Sequence, residues 1–384
     1  MTSLGRAASV SDYREAARRR LPKIFFEYID GGSYDEATLR RNVNDMEKLS
    51  LRQRVMRDMS GLNTAIETLG QRMSMPVALS PVGMAGMYAR RGEAQAARAA
   101  AAAGIPFCLS TVGICSVEEV ARTGIAPWFQ LYVLKDRGYM RDLLRRAKAA
   151  GSPVLVLTVD LPVPGARYRD VRSGFRGLTG LRGFFNRAKD GLAHPSWLWD
   201  VWVHGRPHSL GSVAGALKEG QSTADFLTWI ADNFDRSMTW KDLDWVRREW
   251  DGPIVIKGVL DPEDARDAVK AGAQGIVVSN HGGRQLDGVR SSISALPRIV
   301  DSIGDDLEVY LDSGVRSGLD VLKALALGAK ACFIGRAWAY ALGAGGEAAI
   351  TRMLATLRSE LEVAMILTGC PSVSTASREL IDQA

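Results

Sequence analysis

From residue 76 onward, short apolar runs alternate with amphipathic, helix-favouring stretches. The runs are Val77–Pro81, Ile105–Ser110, Trp128–Tyr132, Val154–Asp160, Ile254–Lys257, Ile276–Ser279, Leu307–Asp312 and Ala331–Gly335. Helical patterns follow them, as at Glu93–Ala103, Arg137–Ala149, Pro262–Ala271 and Leu319–Leu327. Unbroken apolar runs of this length, bounded by turn residues, predict parallel strands buried on both faces. Eight strand–helix units give an α/β chain with a (β/α)8 barrel. A doubly wound sheet is the rival, but no Gly-x-Gly-x-x-Gly opens the first strand–helix turn.

The rest of the chain is read around that barrel as one domain over 1–384. Residues 1–75 form a helical lead-in, the barrel spans 76–345, and 346–384 is a C-terminal helical segment. Ser11-Asp12 is a candidate N-cap, and Leu21-Pro22 ends the helix it would start. Phe25–Gly32 then runs from an aromatic helix into a glycine stop, where Tyr28 reads by itself as a core aromatic. The uncharged run Ala99–Val117 is broken by Gly104 and Pro106, so it predicts a helix end and a strand. No transmembrane helix is expected, and charges at Arg6, Asp12, Arg14 and Glu15 interrupt any signal-peptide core.

Nearly every expected strand ends on polar groups, as a barrel active site requires. Strand 6 is the richest, closing on Ser279-Asn280-His281-Gly282-Gly283-Arg284. Histidine exchanges protons near neutral pH, and arginine presents a fork that fits a carboxylate. Chemistry on a small acid is the functional reading; the bland one is a polar loop whose histidine caps a helix. Asp312-Ser313-Gly314-Val315-Arg316 and Gly335-Arg336 close strands 7 and 8, where backbone N–H groups hold phosphates in such barrels. A phosphorylated cofactor or substrate is therefore expected.

Composition changes the picture in two places. The formal charge is only +6, so where the basic residues sit matters more than their excess, and one such place is an insertion at 173–236, far too long for a plain barrel loop. Phe175, Phe184, Phe185, Trp197, Trp199 and Trp202 interleave there with Arg176, Arg182, Arg187 and Lys189. That mixture suits a membrane–water interface. The alternative is a lid that packs its tryptophans onto the barrel. No recognition motif supports nucleic acid. Cys108, Cys115, Cys332 and Cys370 have no metal spacing and read as reduced, buried thiols. His194, His204 and His208 likewise lack ligand spacing, so no metal is expected.

The hexapeptide continues as Gln285-Leu286-Asp287-Gly288, and Leu21-Pro22-Lys23, Phe129–Tyr132, Thr158-Val159-Asp160 and Asp312–Arg316 accompany it in order. Together they resemble the FMN-dependent L-2-hydroxy acid oxidases and dehydrogenases over nearly the whole chain. Within that group, Tyr88–Glu93, Pro164–Asp170 and Gly205–His208 are similar to the bacterial respiratory L-lactate dehydrogenases. The resemblance implies His281 as active-site base, Asp160 as its partner, and Arg167 and Arg284 as the clamp for the substrate carboxylate. It turns Tyr28 from a core aromatic into a hydroxyl donor beside Tyr132. It places Lys257 at the N1–C2 carbonyl edge of FMN, and Ser110, Gln130, Thr158 and Ser279 on the ring or ribityl chain. Pro81, Val82 and Gly83 would flank N5, Asp312 would take ribityl hydroxyls, and Gly314, Arg316, Gly335 and Arg336 would hold the phosphate.

The reaction so implied is oxidation of L-lactate to pyruvate, with electrons passed to a membrane quinone. A homotetramer lying peripherally on the cytoplasmic face of the inner membrane is also implied. Gly83 departs from the alanine that oxidase relatives often carry there. The rivals are a soluble oxidase acting on glycolate, mandelate or a longer acid, and a phosphate-binding barrel isomerase or aldolase.

Overall fold

The computed structural model describes residues 3–175, 189–208, 210–211 and 232–382. Helices α1 (Val10–Arg20), α2 (Lys23–Asp30) and α3 (Ala37–Lys48) open the chain, with the expected break at Leu21-Pro22. The start of α1 differs from the expectation. Ser9 is the cap, and Asp12 serves as the reciprocal partner, its carboxylate taking the Ser9 N–H at 2.9 Å. An antiparallel hairpin, Ile66–Thr68 with Gln71–Met73, was not foreseen in a helical lead-in.

The barrel strands are β1 (Val77–Leu79), β2 (Cys108–Ser110), β3 (Trp128–Tyr132), β4 (Leu155–Thr158), β5 (Ile254–Val259), β6 (Gly275–Val278), β7 (Glu308–Leu311) and β8 (Ala331–Ile334). Their order is β1-β8-β7-β6-β5-β4-β3-β2, every pairing parallel. A single Leu79–Phe107 bridge joins β1 to the β2 side and closes the circle. The register of β5 slips between Lys257 and Val259. Gly258 makes that bulge possible at φ +115°, because a Cβ there would lie 2.5 Å from Asp160 Cβ. Lys257 and Asp160 are thereby aimed at the same end of the barrel.

The other end is plugged. Trp128, Val156, Val255, Val277, Tyr310 and Phe333 fill the interior with Met73 of the hairpin. Phe333 packs its ring 5.8 Å from Trp128 and 5.6 Å from Tyr310. Such pairs add about 0.5–1.5 kcal/mol each beyond burial of their area. The hairpin is bolted to β7 through Thr68 and Leu69, which donate to Glu308. Among the described residues, the open end of the barrel is the C-terminal mouth.

A long helix, Arg336–Thr368, follows β8 and bends where Gly345 and Gly346 leave helical geometry. All four cysteines are buried free thiols, and burial pushes each of them upward in pKa. No described helix is long and apolar enough to cross a membrane.

The insertion divides. Trp197, in the turn Pro195–Trp197, is 4% exposed, stacks 5.3 Å from Phe25 and donates its indole N–H to the Met87 carbonyl at 2.8 Å. Phe175 likewise turns inward, 4.7 Å from the Tyr28 ring. Trp197 corrects the membrane-facing expectation at its own position, because a buried indole cannot meet lipid, whereas Phe175 is only half-buried. Trp199 and Trp202, in the π-helical turn Leu198–Val203, remain 66% and 46% exposed. Arg176, Arg182, Phe184, Phe185 and Arg187 lie outside the described residues. His194, His204 and His208 bond to the backbone carbonyls of Asp190, Trp199 and Val201. Among the described residues no cluster could hold a metal ion.

Candidate active site

A pocket of about 840 Å³, counting its open mouth, sits at the C-terminal end of the strands. It brings together Tyr28, Tyr132, Arg167, Lys257, His281 and Arg284. The β1 end Pro81–Gly83 joins them, as do Asp312, Gly314, Arg316, Gly335 and Arg336 from the β7 and β8 ends. Ser110, Gln130, Thr158, Asp160 and Ser279 stand behind this lining rather than in it. Ser279 supports two lining residues, its hydroxyl accepting from Lys257 Nζ at 3.1 Å and from the His281 N–H at 3.0 Å. Thr158 pairs in register with Lys257.

His281 follows β6 in left-handed backbone at φ +57°, and Gly282 and Gly283 continue at +66° and +72°. Three such residues in a row make a tight reversal that returns the imidazole over the barrel. Protein packing also requires the two glycines. A Cβ at Gly283 would lie 2.6 Å from the Leu39 nitrogen, and one at Gly282 2.6 Å from the Arg336 guanidinium. His281 Nδ1 meets Asp160 Oδ1 at 2.9 Å. Burial pushes the imidazole below its ordinary pKa, with Lys257 and Arg167 acting the same way against the pull of Asp160. Burial alone would raise Asp160, yet the His281 contact and the Lys257 charge hold it below the usual carboxylate value. A neutral imidazole backed by an ionised carboxylate is a base whose protonated form is stabilised.

Lys257 is buried, which disfavours its charge, but an ion pair to Asp312 at 2.8 Å and the Asp160 carboxylate keep it protonated. The arginines are held differently. Arg284 donates to the Tyr28 and Gly31 carbonyls at 2.6 and 2.8 Å, and its guanidinium lies 4.8 Å from the Tyr28 ring centre. Arg336 donates to the carbonyls of Ile29, Gly282 and Gly31 at 2.8–3.0 Å. The C-terminal end of α2 and the turn after it therefore seat both guanidinium groups on backbone oxygens, where the helix dipole favours cations. Asp30 locks that helix in place. Its buried carboxylate accepts from Arg14, Arg169 and Tyr340.

Several supporting residues escaped the sequence reading. The Ser313 hydroxyl accepts the Gly282 N–H and donates to Asp312. The Gln285 amide ties the Asp160 and Val163 carbonyls and the Gly165 N–H to the His281 loop. Asp287 accepts the N–H groups of Ala37 and Thr38 at the start of α3. Gln285 and Asp287 lie in the recognised motif; their structural roles have no sequence signal beyond that. Gly314 (φ +102°) is dictated by α3, since a Cβ would meet the Asn42 carbonyl at 2.3 Å.

Three observations fit FMN. Gln130 Nε2 is buried with no hydrogen-bond partner, an unmet donor on β3 two residues before the pocket residue Tyr132. Arg336 is pulled down to about 9 by burial and by the like charges of Arg284 and Arg316, a crowding that a bound phosphate relieves. The Gly335–Arg336 turn opens a long helix whose N-terminal N–H groups suit an anion.

Comparison with known proteins agrees. Residues 17–383 match the model of the FMN-dependent dehydrogenase family. An L-lactate dehydrogenase of Caulobacter vibrioides is 56% identical over 97% of each chain. One of Xanthomonas campestris pv. campestris is 56% identical over 98% of this chain and 97% of its own. Among solved structures, a monotopic membrane protein, (S)-mandelate dehydrogenase, matches with a TM-score of 0.91 at 34% identity, covering 99% of this chain and 100% of its own. A mandelate oxidase matches with a TM-score of 0.82 at 38% identity, covering 98% of both chains. The chain thus belongs to the FMN-dependent dehydrogenases, the enzymes of 2-hydroxy acid oxidation, and FMN is its cofactor.

Proposed function

We propose that this site oxidises L-lactate to pyruvate, with His281 as the base and a membrane quinone as the final electron acceptor. The observation that carries the reading is the 2.9 Å His281–Asp160 pair facing two tyrosines and two arginines in one pocket. Arg167 and Arg284 bind the substrate carboxylate. Tyr28 and Tyr132 offer hydroxyls to the carboxylate and to the 2-oxygen, and burial keeps Tyr132 protonated as a donor. FMN, when bound, supplies the two-electron acceptor for the hydroxyl-bearing carbon. His281 takes up the substrate proton at Nε2, the nitrogen that faces away from Asp160, and Asp160 stabilises the resulting imidazolium. Lys257 and Gln130 would hold the polar edge of the ring system, Pro81–Gly83 its other edge, Asp312 the ribityl hydroxyls, and Gly314, Arg316, Gly335 and Arg336 the phosphate. Ser110, Thr158 and Ser279 complete that shell.

Lactate is favoured by the names of the 56% identical relatives; the solved neighbours named for mandelate supply the second reading, an aryl 2-hydroxy acid. Exposed Trp199 and Trp202, and likeness to a monotopic membrane protein, support peripheral membrane contact and hence a quinone. Anaerobic addition of L-lactate to purified protein should bleach the flavin bands, and D-lactate should not. His281→Gln should slow that bleaching by about 10²–10⁴-fold with FMN retained. Bleaching by aryl acids alone would replace the substrate. Vesicle binding unaffected by Trp199→Ala with Trp202→Ala would remove the membrane contact at this turn.

A further inference from the structure

Besides the residues already given roles, one side chain in the pocket has the right chemistry and none assigned: Tyr88. It lines the chamber beside Tyr28, Tyr132 and Arg284, yet is fully buried. Its hydroxyl donates to the Gly83 carbonyl at 2.8 Å. Its backbone is fixed as well. The Tyr88 N–H donates to Ala85, and its carbonyl accepts from Arg20 at 2.9 Å. The preceding Met87 carbonyl is taken by the Trp197 indole. A tyrosine ring pinned at hydroxyl, N–H and carbonyl has almost no freedom to swing away.

Its neighbourhood shows why the pin matters. Gly83 has no side chain, and a Cβ there would lie 2.7 Å from Val112 Cγ2 and 3.3 Å from the Tyr28 hydroxyl. The space around Gly83 is thus already closed on those two sides, and Met84 is tied to the Val112 carbonyl at 2.9 Å. Tyr88 is the remaining large group next to Gly83 that borders the cavity. We propose that Tyr88 is a specificity-determining wall of the substrate chamber, held rigid by its bond to the Gly83 carbonyl, which restricts the site to 2-hydroxy acids with a short aliphatic 2-substituent. A methyl-sized substituent fits against a fixed phenol, whereas an aryl substituent requires the ring to move and the Gly83 carbonyl to lose its donor. Burial keeps the phenol protonated, so the bond persists across the working pH range. An unpaired buried carbonyl is costly, which is what makes the wall stiff.

The inference rests on the 2-hydroxy acid reading of the pocket, and the test separates the two. Pyruvate and benzoylformate, one short and one aryl 2-oxo acid, are titrated into FMN-loaded wild type, Tyr88→Phe and Tyr88→Ala. Dissociation constants are read from flavin difference spectra, and kcat/KM is measured with L-lactate and L-mandelate. Wild type should prefer the short ligand. Tyr88→Ala should move both ratios toward the aryl compounds by at least about tenfold. Tyr88→Phe, which keeps the ring and frees it from Gly83, should move them the same way by less. Where Tyr88→Ala does not retain FMN, Tyr88→Phe decides. A wild-type preference preserved in an FMN-loaded variant overturns the wall. A wild-type spectrum that answers to no 2-oxo or 2-hydroxy acid overturns the reading of the pocket instead.

Discussion

Two regions build this site by different means. The strand ends contribute side chains: Asp160 after β4, Lys257 on β5, His281 after β6 and Asp312 after β7. Helix α2 and the turn behind it contribute backbone oxygens, with Tyr28 as their one side chain in the pocket apart from Ile29. The strand-end groups are charged pairs that tune one another. The carbonyls of α2 have no charge to tune, and they act by holding Arg284 and Arg336 where an anion can reach them. A barrel can thus keep its chemistry on rigid strands and delegate the aiming of its cations to an accessory helix.

The sharpest way to break the comparison is at Asp30, the anchor of α2. Asp30→Asn leaves Arg14 and Arg169 without their shared buried carboxylate, and stability should fall by about 1–3 kcal/mol in urea unfolding. Burial would raise the Asp30 carboxyl, but its bonds to Arg14, Tyr340 and Arg169 hold it far below the usual value. A folded pKa below the unfolded one gives stability that is complete above the unfolded value near 4 and is lost as pH falls below it. The Asn variant should lack this component of acid sensitivity; an equal acid slope in both proteins would place the anchor elsewhere.

On the strand side the corresponding cut is Asp160→Asn. Losing the carboxylate removes the group that raises His281, so its pKa should drop further. The acid limb of kcat/KM should move to lower pH while the plateau rate falls, because the imidazolium loses its partner. An acid limb that stays put would assign it to another group.

The smallest effect joins the regions. Arg336→Lys keeps a cation at the phosphate end but cannot reproduce three bonds to Ile29, Gly31 and Gly282. FMN affinity, followed by flavin fluorescence on titration of apoprotein, should weaken roughly tenfold. Unchanged affinity would mean that charge alone suffices and that the carbonyl seat is incidental.

The same division explains what the sequence disclosed. Barrel strands announced themselves because buried parallel strands are continuous apolar runs, and their polar ends follow from the geometry of the fold. His281, Asp160 and Lys257 were legible as residue types at strand ends. The seating of Arg284 and Arg336 was not, since any residue supplies a carbonyl and only the path of the chain decides where it points. Asp30 carried no signal for a related reason: its partners come from α1, the segment after β4 and the last helix, up to 310 positions away. Trp197 and Trp199 show the limit within one turn, where neighbouring identical residues go to opposite environments.

The one-bridge closure between β1 and the β2 side has a consequence for how the enzyme keeps its prosthetic group. Everywhere else the staves of the barrel are riveted at two or more positions, so this joint has the fewest backbone pairings to break when the wall breathes. Pro81–Gly83 stands above one stave and Ser110 above the other, and both belong to the proposed FMN shell. A flavin held by both would act as a clasp across the joint, and its escape and the first gap in the wall would be one event.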